Sequence, residues 1–327
     1  RAWESTCSTG VRSGHGCASR AEPESSAEAG NMRRTDAATA ILQPGRNCWC
    51  VEHASRVSFI VDGADYFAAF RAAARLARHS IIIVGWDFDS RIRLVPDGAA
   101  DELPESLGEF LRALLRRTRG LRVHVLDWDF AMLAAEDREP RPVFSPGWRR
   151  HRRLHFHLDS AHPLGASHHQ KIVVIDDALA FVGGVDLTHC RWDTSAHSPR
   201  DSRRRHPEGQ PCMPFHDLMM AVDGSVAAAL GKLVRERWYR ATGRSIDARH
   251  GSADPQLWPN ALPVDLQSVQ VAIARTEPAY RQWPEVQEIK QLYLDGIAAA
   301  QHRLYFENQY FSATAVAEAL ELSLIHI

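Results

Sequence analysis

The chain has 327 residues, 45% hydrophobic and 24% charged, which is enough apolar matter for one large domain or two ordinary ones and too much for a disordered polypeptide. Lysine and arginine number 39 against 40 acidic residues, a formal charge of -1, so no global field draws the protein to nucleic acid or an anionic membrane. No apolar run reaches the roughly 18 to 20 residues that a membrane span requires, so a soluble or peripheral protein is expected.

Residues 1–40 read as a non-native or disordered leader. Arg1 to Asn31 lack an initiating Met and the apolar core of a signal peptide, and the natural start is expected at Met32. The six cysteines, Cys7, Cys17, Cys48, Cys50, Cys190 and Cys212, show no repeated C-x-x-C spacing. That argues against a zinc ribbon and against a disulfide-stapled module.

A short strand is predicted from Ser58 to Val61, then a helix on which Tyr66, Phe70, Ala73, Ala74 and Ala77 recur at helical spacing. The β-branched run Ile81 to Val84 predicts a strand buried on both faces. A second helix is predicted in "LPESLGEFLRALLRRT" and another strand in "LRVHVLDWDF". Strands alternating with helices predict an α/β fold with part of its sheet parallel. The segment "LYLDGIAAAQHRLYFENQYF" repeats the first helix and strand at an offset of 302 minus 79, or 223, pairing Phe70 with Tyr293, Ala74 with Ile297, Ile81 with Leu304 and Phe88 with Phe311. The expected organisation is a first repeat over 41–240, a Pro/Gly/Asp-rich linker over 241–263 and the start of a second repeat over 264–327. The tail "LSLIHI" breaks the helical pattern and resembles translated adapter sequence, so an artificial end is expected near Glu321.

The chemistry concentrates in "HHQKIVVID". Alternation along a strand puts His169, Lys171, Val173 and Ile175 on one face, and Gln170, Ile172, Val174 and Asp176 on the other. An imidazole and a cation one pleat apart form a phosphate site: the lysine binds a non-bridging oxygen while the imidazole attacks phosphorus or protonates a leaving oxygen. Asp176 is expected to point away, in a supporting or structural place. Gly183 and Gly184, after the next strand (178–182), would let backbone amides approach an anion.

This pattern, His169, Lys171 and Asp176 followed by Gly183, Gly184 and Asp186, resembles the HKD signature of the phospholipase D superfamily. The continuation with Arg191, Trp192 and Asp193 is similar to its phospholipase branch, and the likeness runs from about Cys48 to Leu320. The resemblance implies an α-β-α sandwich repeat, His169, Lys171 and Asp176 as catalytic residues, and Gly183, Gly184, Asp186 and Asp193 as residues that bind or orient the substrate. It implies a ping-pong phosphodiester exchange on a phospholipid through a phosphohistidine, with no cofactor or metal. The histidine of a second motif would protonate the leaving alcohol. Only one such motif is present; the offset places a second near residue 392 (169 plus 223), so this chain is expected to hold half an active site and to be inactive unless it self-associates. A full-length chain with two motifs would be a monomer. Peripheral membrane contact fits this reading, and no nucleic-acid partner is expected, since no long basic and aromatic stripe appears. The alternatives are a cardiolipin synthase-like phosphatidyltransferase and an inactive phosphate-binding scaffold.

Other features take plainer readings. His151, His155, His157, His162, His168 and His169 lack the nearby cysteines or carboxylates at repeated spacing that a zinc site uses. Arg149, Arg150, Arg152, Arg153 and Arg203 to Arg205 are a solvated face, with attraction of an anionic surface as the alternative. Trp86-Asp87-Phe88 and Trp128-Asp129-Phe130 end strands and are read as core packing, with pocket walls as the alternative; His216-Asp217 is read as structural.

Overall fold

The structure is a computed structural model that describes residues 8–11, 41–129, 151–248 and 255–325. Most of the expected leader, together with Phe130, Arg149, Arg150 and the last two residues of the tail, lies outside the described residues. The chain divides into two units, one spanning Glu52–Val269 and the other built from Cys7–Val51 and Gln270–Ile327.

Strand β1 (Ser8–Val11) belongs to the second unit. The first unit then follows β2 (Cys50–Val61), α1 (Gly63–Ala74), β3 (Ser80–Gly85), α2 (Leu107–Arg117), β4 (Arg122–Trp128), β5 (Leu154–Asp159), β6 (Lys171–Ile175), β7 (Leu179–Gly183), β8 (Leu218–Asp223) and α3 (Ser225–Thr242). Its strands lie in the order β2-β8-β7-β6-β3-β4-β5. From β2 to β3 every pairing is antiparallel; β3, β4 and β5 run parallel to one another. The result is the mixed sheet flanked by helices that the alternating pattern predicts. β3 and β6 are buried along their whole length, as continuous apolar runs require when both faces are covered.

One face of the sheet, with Ile81, Ile83, Val123, Val125, Val173, Ile175 and Phe181, packs on Tyr66 and Phe70 of α1 and Phe110, Leu111 and Leu114 of α2. The opposite face meets α3, whose Trp238 lies 5.0 Å, centroid to centroid, from His124, a residue that alternation turns away from Val123 and Val125. Two helix ends are held by specific caps. Arg153 donates to the carbonyl of Leu115 in the last turn of α2 and to those of Thr118, Arg119 and Leu121 just beyond it. α3 stops at Gly243, whose positive φ of 68° lets its amide bond back to Tyr239.

β2 begins at Cys50, eight residues earlier than the predicted strand at Ser58, because residues 50–57 mix polar and apolar types with neither strict alternation nor the apolar run that marks residues 58–61. In the stretch predicted as a linker, Leu257 and Trp258 are buried in the first unit's core.

In the second unit β1 pairs antiparallel with β9 (Leu266–Ala274), matching Ser8 to Ala274 and Val11 to Val271. β10 (Thr276–Glu277) and β11 (Val286–Gln287) form a small hairpin, followed by α4 (Glu288–Ala299) and α5 (Thr314–Ile325). Cys48, Ala272, Ala274 and Ile289 are the buried centre of this unit. The predicted repeat comprises a helix and a strand. Its helix forms as α4 with Ile297 buried, but residues 300–313 form no strand, and Tyr305 is 85% exposed. An apolar strand is stable only when paired and covered, and residues 300–313 have no strand pairing in the described structure and little cover beyond the stacking of Phe306 on Tyr293.

Candidate active site

The register of the first unit's sheet gathers several chain segments at one end. Lys171, the first residue of β6, pairs with Gly183, the last of β7, and Gly183 pairs with Met219 near the start of β8. Ile172 pairs with Val84, so the turn that leaves β3 through Trp86 and Asp87 lies at the same end. His169 is not on the strand face that alternation predicts. It sits in the loop before β6, two residues ahead of the strand's first paired position.

Lys171 is almost wholly buried, and its Nζ lies 3.0 Å from Asp186 Oδ2, a carboxylate 2% exposed. The same ammonium donates to the His169 carbonyl at 3.1 Å and stands 5.9 Å from the centre of the Trp86 ring. Asp186 is held from the other side by the Trp86 amide, which donates to Oδ1 at 2.9 Å. A buried pair of this kind is strongly disrupted when one partner is lost, so Lys171 and Asp186 stand or fall together. The His169 ring meets Trp86 edge-on at 6.1 Å, and its buried Nδ1 has no hydrogen-bond partner in the described structure. Burial, and then the nearby Lys171 charge, lower the His169 pKa to about 4, with Asp186 opposing. The imidazole is therefore uncharged at neutral pH and keeps a free lone pair.

The two glycines serve a purpose the sequence does not reveal. A Cβ on Gly184 would come within 2.0 Å of Asp217 Oδ1, and one on Gly183 within 2.3 Å of the Leu218 carbonyl. The Gly184 amide donates to that carbonyl at 3.0 Å and the Val185 amide is aimed at Met219 Sδ at 3.3 Å, so neither presents itself to an anion. Gly184 makes room for the Asp217 carboxylate and Gly183 for the adjoining Leu218 and Met219 of β8, so Asp217, expected to be structural, lies at this edge. Burial pushes the Asp217 carboxyl up, while the Leu218 amide and the Lys171 and Arg191 charges draw it down. Asp217 lies just before β8, 48 residues from His169 (217 minus 169). Its only trace in the sequence is the invitation a double glycine gives to a close neighbour.

Two residues of the predicted set do other work. Asp176 lies five residues from Lys171 at the far end of β6, roughly 16 Å away at about 3.3 Å per residue. Its carboxylate accepts the amides of Arg78, His79 and Ser80 at 2.7, 2.8 and 2.6 Å, fixing the turn into β3. A residue so placed cannot touch a substrate held by His169 and Lys171, because an odd spacing and five residues of strand set it on the other face and at the other end. Asp193 is wholly buried and accepts from Arg204 Nη1 at 2.6 Å, the Phe215 and Thr194 amides at 2.9 Å each, and His197 Nδ1 at 3.1 Å. Burial opposes its charge, but these bonds hold its carboxyl below the usual range. It organises the 190–212 loop, which a Cys190–Cys212 disulfide closes. Scattered spacing had argued against a disulfide framework; this bridge joins residues brought close by the loop.

The histidines that lack a zinc-like spacing make separate contacts, with His162 and His168 meeting edge-on at 5.3 Å. His155 stacks on His124 at 4.8 Å, His157 bonds the Ala241 carbonyl, and His162 bonds Asp129 and Trp128. Among the described residues the grouping able to hold a cation is Asp62, His197 and His216. His216 Nδ1 is 2.7 Å from Asp62 Oδ1 and His197 Nε2 3.5 Å from Oδ2, with Asp193 behind His197 as the carboxylate that orients its ring. Of the described arginines, Arg203 pairs with Asp201 and Asp97, Arg204 with Asp193, and Arg153 caps α2. Among the strand-end aromatics of the described residues, Trp86 borders both His169 and Lys171. It also contacts Trp128, ring centres 5.8 Å apart. A cavity of about 430 Å³ lined by Phe67, Arg91, Trp192 and Arg203 adjoins neither His169 nor Lys171.

This geometry can be set beside known proteins. The phospholipase D family pattern matches residues 73–317, about three quarters of the chain. Phospholipase D A of Dictyostelium discoideum is 26% identical over 295 residues, covering 79% of this chain and 22% of the relative. Phospholipase D beta 2 of Arabidopsis thaliana is 27% identical over 342 residues, covering 81% of this chain and 36% of the relative. The chain thus spans well under half the length of these relatives. Phosphatidylserine synthase of Haemophilus influenzae has a similar fold, with a TM-score of 0.52 at 12% identity over 89% of this chain and 63% of that one. Within the described residues no helix is long and apolar enough to cross a membrane. With the family pattern running through the motif, the loop and the sheet that place His169 beside Lys171, the chain belongs to the phospholipase D family.

Proposed function

We propose that this chain carries the nucleophilic half of a phospholipid phosphodiesterase site. The observation that carries the reading is a neutral, half-buried imidazole beside a buried Lys171–Asp186 pair. A neutral ring is ready to attack and poorly suited to begin as the acid, which favours His169 as nucleophile over the proton-donor role. His169 attacks phosphorus; an N–P bond forms, and the P–O bond to the headgroup alcohol breaks. Lys171 neutralises a non-bridging oxygen as charge builds there. Asp186 keeps Lys171 in place. Asp217, beside Gly184, adds a carboxyl to the same edge and sets how much negative charge the site tolerates. Water or a second alcohol then attacks the phosphohistidine, releasing phosphatidate or a new phosphodiester and restoring the imidazole.

The leaving alkoxide needs a proton, and the sequence holds a single H-x-K motif. The acid histidine is therefore supplied from beyond this site, by a second motif or a second copy. Substrates test this directly. An aryl phosphodiester, whose phenolate leaves without protonation, should be cleaved by the 327-residue chain, while phosphatidylcholine vesicles should not be cleaved by the monomer. Rapid lipid cleavage by a proven monomer would overturn the shared-site reading, and cleavage of neither by any assembly would leave only the phosphate-binding scaffold. Transfer rather than hydrolysis would appear as a glycerol-linked product from phosphatidylglycerol alone.

A further inference from the structure

The residues on either side of His169 are tied to a buried ion pair that the chemistry above does not use. Asp159 ends β5 and Arg237 lies in α3; Arg237 Nη2 donates to Asp159 Oδ2 at 2.7 Å, with both side chains no more than 5% exposed. Arg237 Nη1 also donates to Gln170 Oε1 at 2.9 Å. Asp159 Oδ2 lies 3.3 Å from His168 Nε2, a close electrostatic contact without hydrogen-bond geometry. Residues 168 and 170 thus turn towards one pair, and His169, between them, is left to face Trp86 and Lys171.

Stability alone is a weak reason for such a network. A buried pair repays its desolvation only when every polar atom is satisfied, and apolar replacements of similar volume are often as stable. Here the buried Arg237 Nε finds no acceptor in the described structure, so the arrangement is not the one that stability would select. What it does provide is direction: three charged or amide groups from β5, α3 and the loop meet behind the one imidazole whose orientation decides the reaction.

We propose that the Asp159–Arg237 pair is a positioning device that aims His169, holding His168 and Gln170 so that the imidazole stays against Lys171. The proposal rests on His169 being the nucleophile, and its test is chosen to keep the two ideas apart. The double variant D159L/R237M removes both charges together and leaves neither unpaired. The readouts are its melting temperature, the NMR titration of the His169 ring assigned with H169N, and turnover of an aryl phosphodiester. The expected result is a melting temperature near that of the parent and a His169 midpoint that climbs from about 4 towards the ordinary 6.5 as the ring leaves its buried place beside Lys171. With it, kcat should fall by about 100-fold while KM holds, the size expected of a misaimed nucleophile. A folded variant with an unmoved midpoint and unchanged kcat overturns the proposal.

Should the double variant not fold, Q170L leaves the ion pair intact and cuts one tether; a smaller rise in the same midpoint supports the proposal and an unmoved one overturns it. If the parent cleaves no phosphodiester but the midpoint still rises in the variants, the positioning role stands and the nucleophile reading fails.

Discussion

At the Lys171 end of β6 the polar groups are packed closely yet keep valence in reserve: the His169 Nδ1 is unpartnered in the described structure, its ring is held neutral, and burial raises the Asp217 carboxyl. At the Asp176 end, by contrast, three backbone amides take up the carboxylate, and the neighbouring Asp177 is spent on Arg235. Both ends carry residues of one motif on one short strand. The difference teaches that motif membership marks a residue as needed by the fold or by the chemistry, and that unspent hydrogen-bonding capacity tells the two apart.

Substitutions at the two ends should break this comparison if it is false. The largest effect is expected from H169N, which keeps the ring's polarity and removes its nucleophile: turnover of an aryl phosphodiester should drop about 10⁴-fold or more, with the melting temperature little changed. K171M should lower turnover about 10³-fold and also destabilise the fold by about 3–5 kcal/mol, since Asp186 is left buried without its partner; denaturant unfolding measures the second part. G184A forces Asp217 aside, because the new Cβ would sit 2.0 Å from its carboxylate, and kcat should fall about 10-fold to 100-fold.

The pH profile sharpens the comparison. An unfolded histidine takes up its proton near pH 6.5, whereas folded His169 does so at about 4. Its stability contribution is complete above about pH 6.5 and is lost as pH falls through that window, amounting to about 2 kcal/mol after allowance for partial exposure. The acid limb of kcat/KM should have its midpoint below pH 5, and a midpoint near 6.5 would mean an ordinary, solvated imidazole. At the other end, D176A should cost about 2–4 kcal/mol in unfolding free energy while changing kcat less than about threefold. A D176A protein that is stable yet inactive would erase the distinction between the two ends.

Much of the scaffold was legible because its signals are local. The β-branched runs of β3 and β6 and the apolar spacing of α1 announce themselves within a few residues. His169, Lys171 and Asp186 were legible for the same reason, lying within one strand-turn-strand segment. What the sequence hid is set by register across the sheet. Asp217 reaches the site because β8 pairs with β7, and Arg237 meets Gln170 because α3 lies across β5 to β8. No spacing rule carries that information. The same limit explains residues 300–313: their apolar pattern is strand-like, but a strand also needs pairing partners, which a pattern cannot supply.

The central claim is that His169 itself attacks phosphorus. The direct measurement is to mix the chain with a ³²P-labelled aryl phosphodiester, quench in alkali, which preserves phosphohistidine, and map the labelled peptide. The account predicts label on the peptide holding His169, retained in D176A and absent in H169N. Label on another residue, or turnover with no labelled protein at any time, would contradict it.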